Sequence, residues 1–410
     1  MAATDGSDRK VLRELAKRVR EIAALPVMEE RRRLWKAHNS LRPARPMVLI
    51  FPEGSWRELI PEQSLRCRGE EARDAELELR RRIYYHEHFT DDTVIEPSWI
   101  VKKRISSTGW GLEPRRRPSP ETLGAWAFDP VIRSERDLDR LRVPEIDVDE
   151  AATARDLEAA EELFGDILDV RLKGVDHVSF HLMSEYTNLR GLEQVMWDMA
   201  DNPAMLHRAM RFLTDGHRAI TERYGELNLF SLNNDNTYHS SGGVGYTDEL
   251  PAPGFDPHRV RPRDLWASAE AQQMALISPE MHEEFVLSYE RELLEPFALN
   301  GYGCCEDLSH KIDRVLTIPG IRRISISPFA DVDRSAERLG RRAIFSWKPQ
   351  PAHLVGSFDE EGIRAYIAHT IRVARGCVLE MILKDTHTCE HRPERFDRWS
   401  ALASELARSA

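Results

Sequence analysis

Cys304 and Cys305 stand side by side behind the bend Gly301-Tyr302-Gly303, and a third thiol lies far downstream in Lys384-Asp385-Thr386-His387-Thr388-Cys389-Glu390-His391. Thiolates and imidazoles are the ligands zinc favours, and a catalytic zinc keeps one position open for substrate. Three thiolates, or two with His387, meet that need. Cys304, Cys305, Cys389 and His387 are therefore the candidate metal ligands, with Glu306 and Tyr302 in reserve. A cysteine also serves as a small buried hydrophobe, and neighbours on an extended chain point opposite ways, so not every member of the group need bind. Cys377 lies inside an apolar run and is expected in the core, and Cys67 has no assigned partner.

A second polar concentration is Asn233-Asn234-Asp235-Asn236-Thr237-Tyr238-His239. Asn and Asp favour turns, but a turn alone has no need of so many amide and acid side chains together with Tyr and His. Asp235 and Tyr238 are expected to join His387 and Glu53 in catalysis, and Trp56, Asn234, His239, Trp347 and Lys348 to bind substrate. His387 stays open between ligand, general acid and hydrogen-bond donor. The run Arg80-Arg81-Arg82 could bind an anion; acids precede the arginines by one helical turn, which favours a solvated helix face. His86, Glu87 and His88 read the same way. Gly242-Gly243-Val244-Gly245 is not followed by the Lys-Ser/Thr of a phosphate loop, and no G-x-S-x-G elbow is present.

These residues need a scaffold that gathers distant loops. Residues 8–40 read as two amphipathic helices, with Val11, Leu12, Leu15, Val19 and Ile22 at helical spacing. Residues 1–45 are expected to pack as helices on the outside of a barrel formed by 46–410. Short apolar runs then alternate with helical stretches: 47–51, 94–101, 167–172, 178–182, 229–232, 297–303, 323–327, 343–348 and 377–383. Sustained strand–helix alternation implies parallel pairing with helical crossovers. The count fits a (β/α)8 TIM barrel with an N-terminal helical extension; a doubly wound sheet is the alternative. Polar groups at strand ends favour the barrel: Glu53 and Trp56, His181 and Glu185, Asp235 and His239, Cys304 and Cys305, Trp347 and Lys348, His387 and Cys389. In a barrel the strand C-termini converge, so these residues become neighbours. The stretch 108–130 reads as an ordered Gly-, Pro- and Arg-rich excursion.

The 410 residues are 41% hydrophobic and 31% charged with net charge −11. That composition is globular and argues against a broad nucleic-acid surface. No apolar run approaches the roughly 20 residues that span a membrane, and Met1–Lys10 is polar, so the expected location is cytoplasmic. Five cysteines make a disulfide framework a poor fit.

The segment Gly301 to Glu306, the stretch Lys384 to Cys389 followed by Pro393-Glu394-Arg395-Phe396, and the strand–helix alternation resemble the uroporphyrinogen-decarboxylase-like superfamily. The resemblance runs from about Leu168 to Ala407 and extends back to Met47. That superfamily includes the decarboxylase and the zinc-dependent methyltransferases that serve corrinoid proteins. In the methyltransferases a His-x-Cys pair and a C-terminal Cys bind zinc; here Tyr302-Gly303-Cys304 looks like the His-x-Cys place, and Cys389 or His387 the C-terminal one. Tyrosine replaces the family histidine, so Cys305 or His387 supplies the lost ligand or the site differs. The decarboxylases use an Asp near the first strand, where the nearest acid is Glu53, and their Arg-rich loop has no match. The resemblance thus implies methyl transfer between a small methylated substrate and a corrinoid, with zinc as Lewis acid. No Asp-x-His-x-x-Gly motif occurs, so the corrinoid would sit on a partner protein. The alternatives are a decarboxylase or lyase of a polar small molecule using His387, Tyr238 and Asp235 without metal, and a barrel that binds a ligand or metal without turnover.

Overall fold

The computed structural model describes residues 5–117, 119, 127–239 and 242–410. Seven short strands form one parallel sheet, and only these are numbered: β1 Met47–Ile50, β2 Ser179–Phe180, β3 Trp266–Ala269, β4 Leu299–Tyr302, β5 Ile321–Ile326, β6 Ile344–Trp347 and β7 Val378–Leu383. Their order is β1-β7-β6-β5-β4-β3-β2. From β2 to β7 each strand lies beside its successor in sequence, and β7 pairs back to β1 through Met47 opposite Glu380 and Ile50 opposite Leu383. Bent round, this order is a ring that lacks one joint, between β1 and β2. The architecture is α/β and TIM-barrel-like. The closed eight-stranded barrel expected from the alternation is corrected: among the described residues, seven strands pair and one seam stays open.

Side chains satisfy the free edge of β1 in place of a strand. The backbone N–H of Val48 donates to the Asp92 carboxylate at 2.9 Å and that of Ile50 to Asp91 at 3.2 Å, while the Asp92 N–H donates to Val48 O at 2.8 Å. Arg45 grips Asp92 with two nitrogens at 2.6 and 2.8 Å. An unpaired strand edge is thereby closed to further pairing. The expected strand at 229–232 does not form; Phe230 makes a single bridge to Val175. Conversely β3 was not foreseen, because Trp266-Ala267-Ser268-Ala269 is too rich in small residues to read as a strand.

The sheet obeys the two-residue period of a strand. Val48, Ile50, Ile324, Ile326, Phe345, Leu379, Met381 and Leu383 face outward into the helix layer and build the main core. Arg323 and Glu380 face inward and meet at the N-terminal end of the strands. Arg323 Nε donates to Glu380 Oε1 at 2.8 Å, His38 Nε2 lies 3.0 Å from Glu380 Oε2, and Arg323 also donates to Asn39 Oδ1 at 2.8 Å. All four side chains are buried.

His38 and Asn39 belong to the second N-terminal helix, Pro26–Asn39, whose last turn closes this end of the ring. The first helix, Gly6–Ala23, lies elsewhere. Its stripe of Val11, Leu12, Ala16, Val19 and Ile22 packs on Ala72, Ala75 and Leu79 of the helix Glu70–His88 and on Leu163 and Phe164. That helix therefore covers the insertion between β1 and β2. The insertion also carries the parallel pair Ser98–Lys102 with Asp169–Lys173. In the 108–130 excursion, Arg115–Arg117 pairs with Ala127–Asp129, and residues 118 and 120–126 lie outside the described residues.

Candidate functional site

The site begins where β4 ends. Gly303 has φ +93°, and a Cβ there would lie 2.6 Å from Leu308 Cδ1, so the bend requires glycine. Past it the chain is no longer extended, and the two sulfurs do not point apart: Cys304 Sγ and Cys305 Sγ are 3.5 Å from each other. Three contacts hold this turn. The Glu306 carboxylate accepts the backbone N–H of Cys304 at 2.8 Å and that of Ala271 at 3.2 Å, and Ser325 Oγ donates to Cys304 O at 2.7 Å. The thiol pair is thus tied to the ends of β3 and β5.

Charge around the pair favours one thiolate. The neighbouring Cys305 thiol holds Cys304 down to about 7 against the opposing effect of burial, with the Lys384 ammonium assisting. Cys305, which donates, is pushed up correspondingly. Lys384 is held protonated despite burial, chiefly by Asp385 and then by the Cys304 charge. Asp385 Oδ2 lies 3.9 Å from Cys305 Sγ. Asp385 has φ +58° and Glu53, at the end of β1, has φ +44°. Two acids in the left-handed region at adjoining strand ends are a strained arrangement of the kind that gathers at functional sites. Burial raises Glu53, opposed by Lys384.

Two further groups border the pair. His181 Nδ1 lies 2.6 Å from Glu270 Oε1; burial opposes protonation of this imidazole, but Glu270 outweighs it and raises the pKa. Lys348 turns inward after β6, buried, and its Nζ donates to Ser346 O and Oγ at 2.8 and 2.9 Å. Burial lowers it to about 7. Glu270 and Asp385 were missed in the sequence. Glu270 follows the unforeseen strand β3, and Asp385 carried no signal beyond its place beside Lys384.

Several expected site residues lie elsewhere. Trp347 faces outward, its ring 5.0 Å from that of Tyr366 in the helix layer. Tyr302 also faces outward, donating to Glu290 at 2.7 Å with His282 at 2.9 Å. Cys389 is buried, and its Sγ donates to Glu58 at 3.2 Å. His387 is exposed at the rim, where its carbonyl accepts from Arg57 at 3.2 Å. His239 is a buried structural residue: it stacks on Trp266, lies 2.8 Å from Asn233 O, and is lowered by burial to about 3. Asn234 donates to Leu250 O at 2.7 Å, so it too braces its own loop. Cys377 is buried as expected, its thiol donating to Ala336 O at 3.5 Å.

The donor set fits zinc only in part. Bonds of about 2.3 Å from two sulfurs to one tetrahedral ion put those sulfurs roughly 3.8 Å apart, and 3.5 Å for Cys304–Cys305 is close to that. Among the described residues, however, no three His, Cys, Asp or Glu side chains converge as a metal-holding group. The expected quartet of Cys304, Cys305, Cys389 and His387 is not assembled.

Asp235, Tyr238 and Trp56 line a cavity of about 700 Å³ at the open seam. It reaches from Leu49 and Phe51 of the ring across to Ser98 and Trp99 of the insertion. Asp235 pairs with Lys173 at 2.6 Å. The Tyr238 ring meets Phe51 edge-on at 4.9 Å. Burial, then the negative charge of Cys304 and Glu53, raises the Tyr238 hydroxyl well above its usual value. Tyr238 therefore lines the cavity within range of the Cys304 charge.

No family model matches the sequence, and no curated protein sequence matches it. Among solved structures, a methyltransferase from Methanosarcina mazei is similar with a TM-score of 0.51 and 11% identity, covering 92% of this chain and 98% of that one. No described helix is long and apolar enough to cross a membrane. The chain shares its fold, over nearly the full length of both chains, with that methyltransferase.

Proposed function

We propose that this chain is a methyltransferase acting on a small methylated substrate at the mouth around Cys304, with a corrinoid on a separate protein as the other methyl carrier. The observation that carries the reading is the Cys304–Cys305 pair, two sulfurs 3.5 Å apart at the C-terminal end of a strand. Catalytic groups of TIM-barrel enzymes sit at that end. The shared fold supports the same direction.

The chain's own residues divide the work as follows. Cys304 presents a thiolate near neutrality, the nucleophilic and metal-binding form of sulfur. Lys384 balances its charge and Glu306 fixes its backbone. His181, held by Glu270, would deliver a proton to a leaving heteroatom. Tyr238 and Phe51 pack ring against ring on the wall of the seam cavity. Zinc held by Cys304 and Cys305 would supply Lewis acidity toward a substrate heteroatom.

Metal analysis of the purified protein, alongside thiol titration, tests this. Stoichiometric zinc that disappears in both Cys304→Ser and Cys305→Ser supports it. Metal-free protein with both thiols open to alkylation, and full turnover of its substrate by Cys304→Ser, rejects it. The decarboxylase or lyase reading, centred on Tyr238 and Asp235, then becomes the better one.

A further inference from the structure

The arginine run on Glu70–His88 divides in an unexpected way. Arg80 Nε donates to Glu76 at 2.7 Å and Arg82 Nε to Glu78 at 2.9 Å, both one turn back on the same helix. Arg81 has Leu77 at that position. Its guanidinium lies 5.4 Å over the Trp56 ring, and its buried Nε has no hydrogen-bond partner among the described residues. It lines the seam cavity. A guanidinium at a cavity wall with no carboxylate paired to it is a ready anchor for an anion.

We propose that the seam cavity is a binding site for a small organic monocarboxylate with a ring-bearing apolar body, anchored by Arg81.

The ligand class follows from the walls. Trp56 covers the face of the guanidinium, and its two terminal nitrogens, which have no hydrogen-bond partner among the described residues, form a two-pronged donor for a planar carboxylate at the cavity wall. The other cations on the wall are engaged: Lys173 with Asp235 at 2.6 Å, Lys102 with Asp176 at 2.5 Å, and Arg82 with Glu78. The remaining acid, Glu96, accepts from the Tyr246 hydroxyl at 2.5 Å. Among the described residues on this wall, one cation without a carboxylate partner stands among several carboxylates, which suits a single negative charge and disfavours a phosphate dianion. Phe51, Trp56, Trp99 and Tyr238 offer ring faces and edges for the body of the ligand. A volume of about 700 Å³ lies within the range of small-molecule sites. The argument uses neither thiol, so it stands apart from the methyl-transfer reading.

Benzoate is the probe, and quenching of tryptophan fluorescence is the readout, because Trp35, Trp56 and Trp99 line the cavity. Wild-type protein is expected to show saturable quenching with a midpoint below about 5 mM, and to bind benzamide, the neutral analogue, at least fivefold more weakly. Arg81→Gln is expected to weaken benzoate at least fivefold, while Arg80→Gln and Cys304→Ser leave it unchanged. If Arg81→Gln fails to fold by circular dichroism, Arg81→Lys is read instead, since it keeps the charge and loses the fork. A midpoint above that limit, a smaller loss on changing Arg81, equal binding of benzamide, or lost binding in Cys304→Ser overturns the proposal.

Discussion

The carboxylate of Glu306 accepts the backbone N–H of Cys304 at 2.8 Å, so an acid two residues ahead fixes the turn that presents the thiol. It does so from full burial, where its own pKa is raised. Glu306→Gln replaces one acceptor by an amide and also alters the charge facing Cys304. Alkylation of Cys304 in chelator-treated protein should follow the thiolate, with a midpoint near 7 in the wild type. In Glu306→Gln the midpoint should move lower, because a negative neighbour that raises it is gone. A midpoint near that of a free thiol, ~8.5, would show that Cys304 and Cys305 do not share a proton as described.

Cys389 is held by Glu58 rather than gathered to the other thiols. Cys389→Ser keeps a donor to Glu58, so stability should change by no more than about 1 kcal/mol. The zinc proposed at Cys304 and Cys305 should be untouched. Loss of metal in this variant, measured against Cys304→Ser, would restore Cys389 to the ligand set.

The buried pair Arg323–Glu380 closes the other end of the ring. Glu380→Gln strands the Arg323 charge away from water and should cost about 3–5 kcal/mol, read as a lower urea midpoint. A loss below about 1 kcal/mol would mean that solvent reaches Arg323.

His239 and His282 are both lowered to about 3, first by burial. Each takes a proton in the unfolded chain near pH ~6.5 but resists it when folded. Their contribution is therefore complete above that pH and is lost as pH falls toward 3. The slope approaches about 1.4 kcal/mol per pH unit for each histidine. Denaturant midpoints at pH 7.5, 6 and 4.5 should fall steadily, and His239→Gln should flatten the curve by one proton. A flat profile across that range would rule out neutral burial.

Trp347→Ala should cost about 3–5 kcal/mol through lost packing on Tyr366. Benzoate binding should remain as in the wild type. An effect on binding without one on stability would put Trp347 back at the mouth.

Strand positions were largely legible because outward residues such as Val48, Ile50, Leu379 and Met381 form apolar runs. β3 was not, since its inward and small residues carry no such run. The missing joint was invisible as well: Leu229 to Leu232 looks like a strand, and only the carboxylates of Asp91 and Asp92 reveal that β1 is satisfied without one. In the site, Cys304 with Cys305 was legible from residue type. Trp347 was misplaced by one step of the strand period, which turns a side chain from lumen to helix layer. Arg81 was hidden by its neighbours: the helical-turn rule holds for Arg80 and Arg82, and the exception faces the cavity.

A closed ring is entered only over its rim. The gap between β1 and β2 leaves the wall of this one open at one place, and the cavity lined by Leu49, Phe51 and Tyr238 lies there. On the readings proposed above, the monocarboxylate would approach from the side and leave the rim to the methyl carrier.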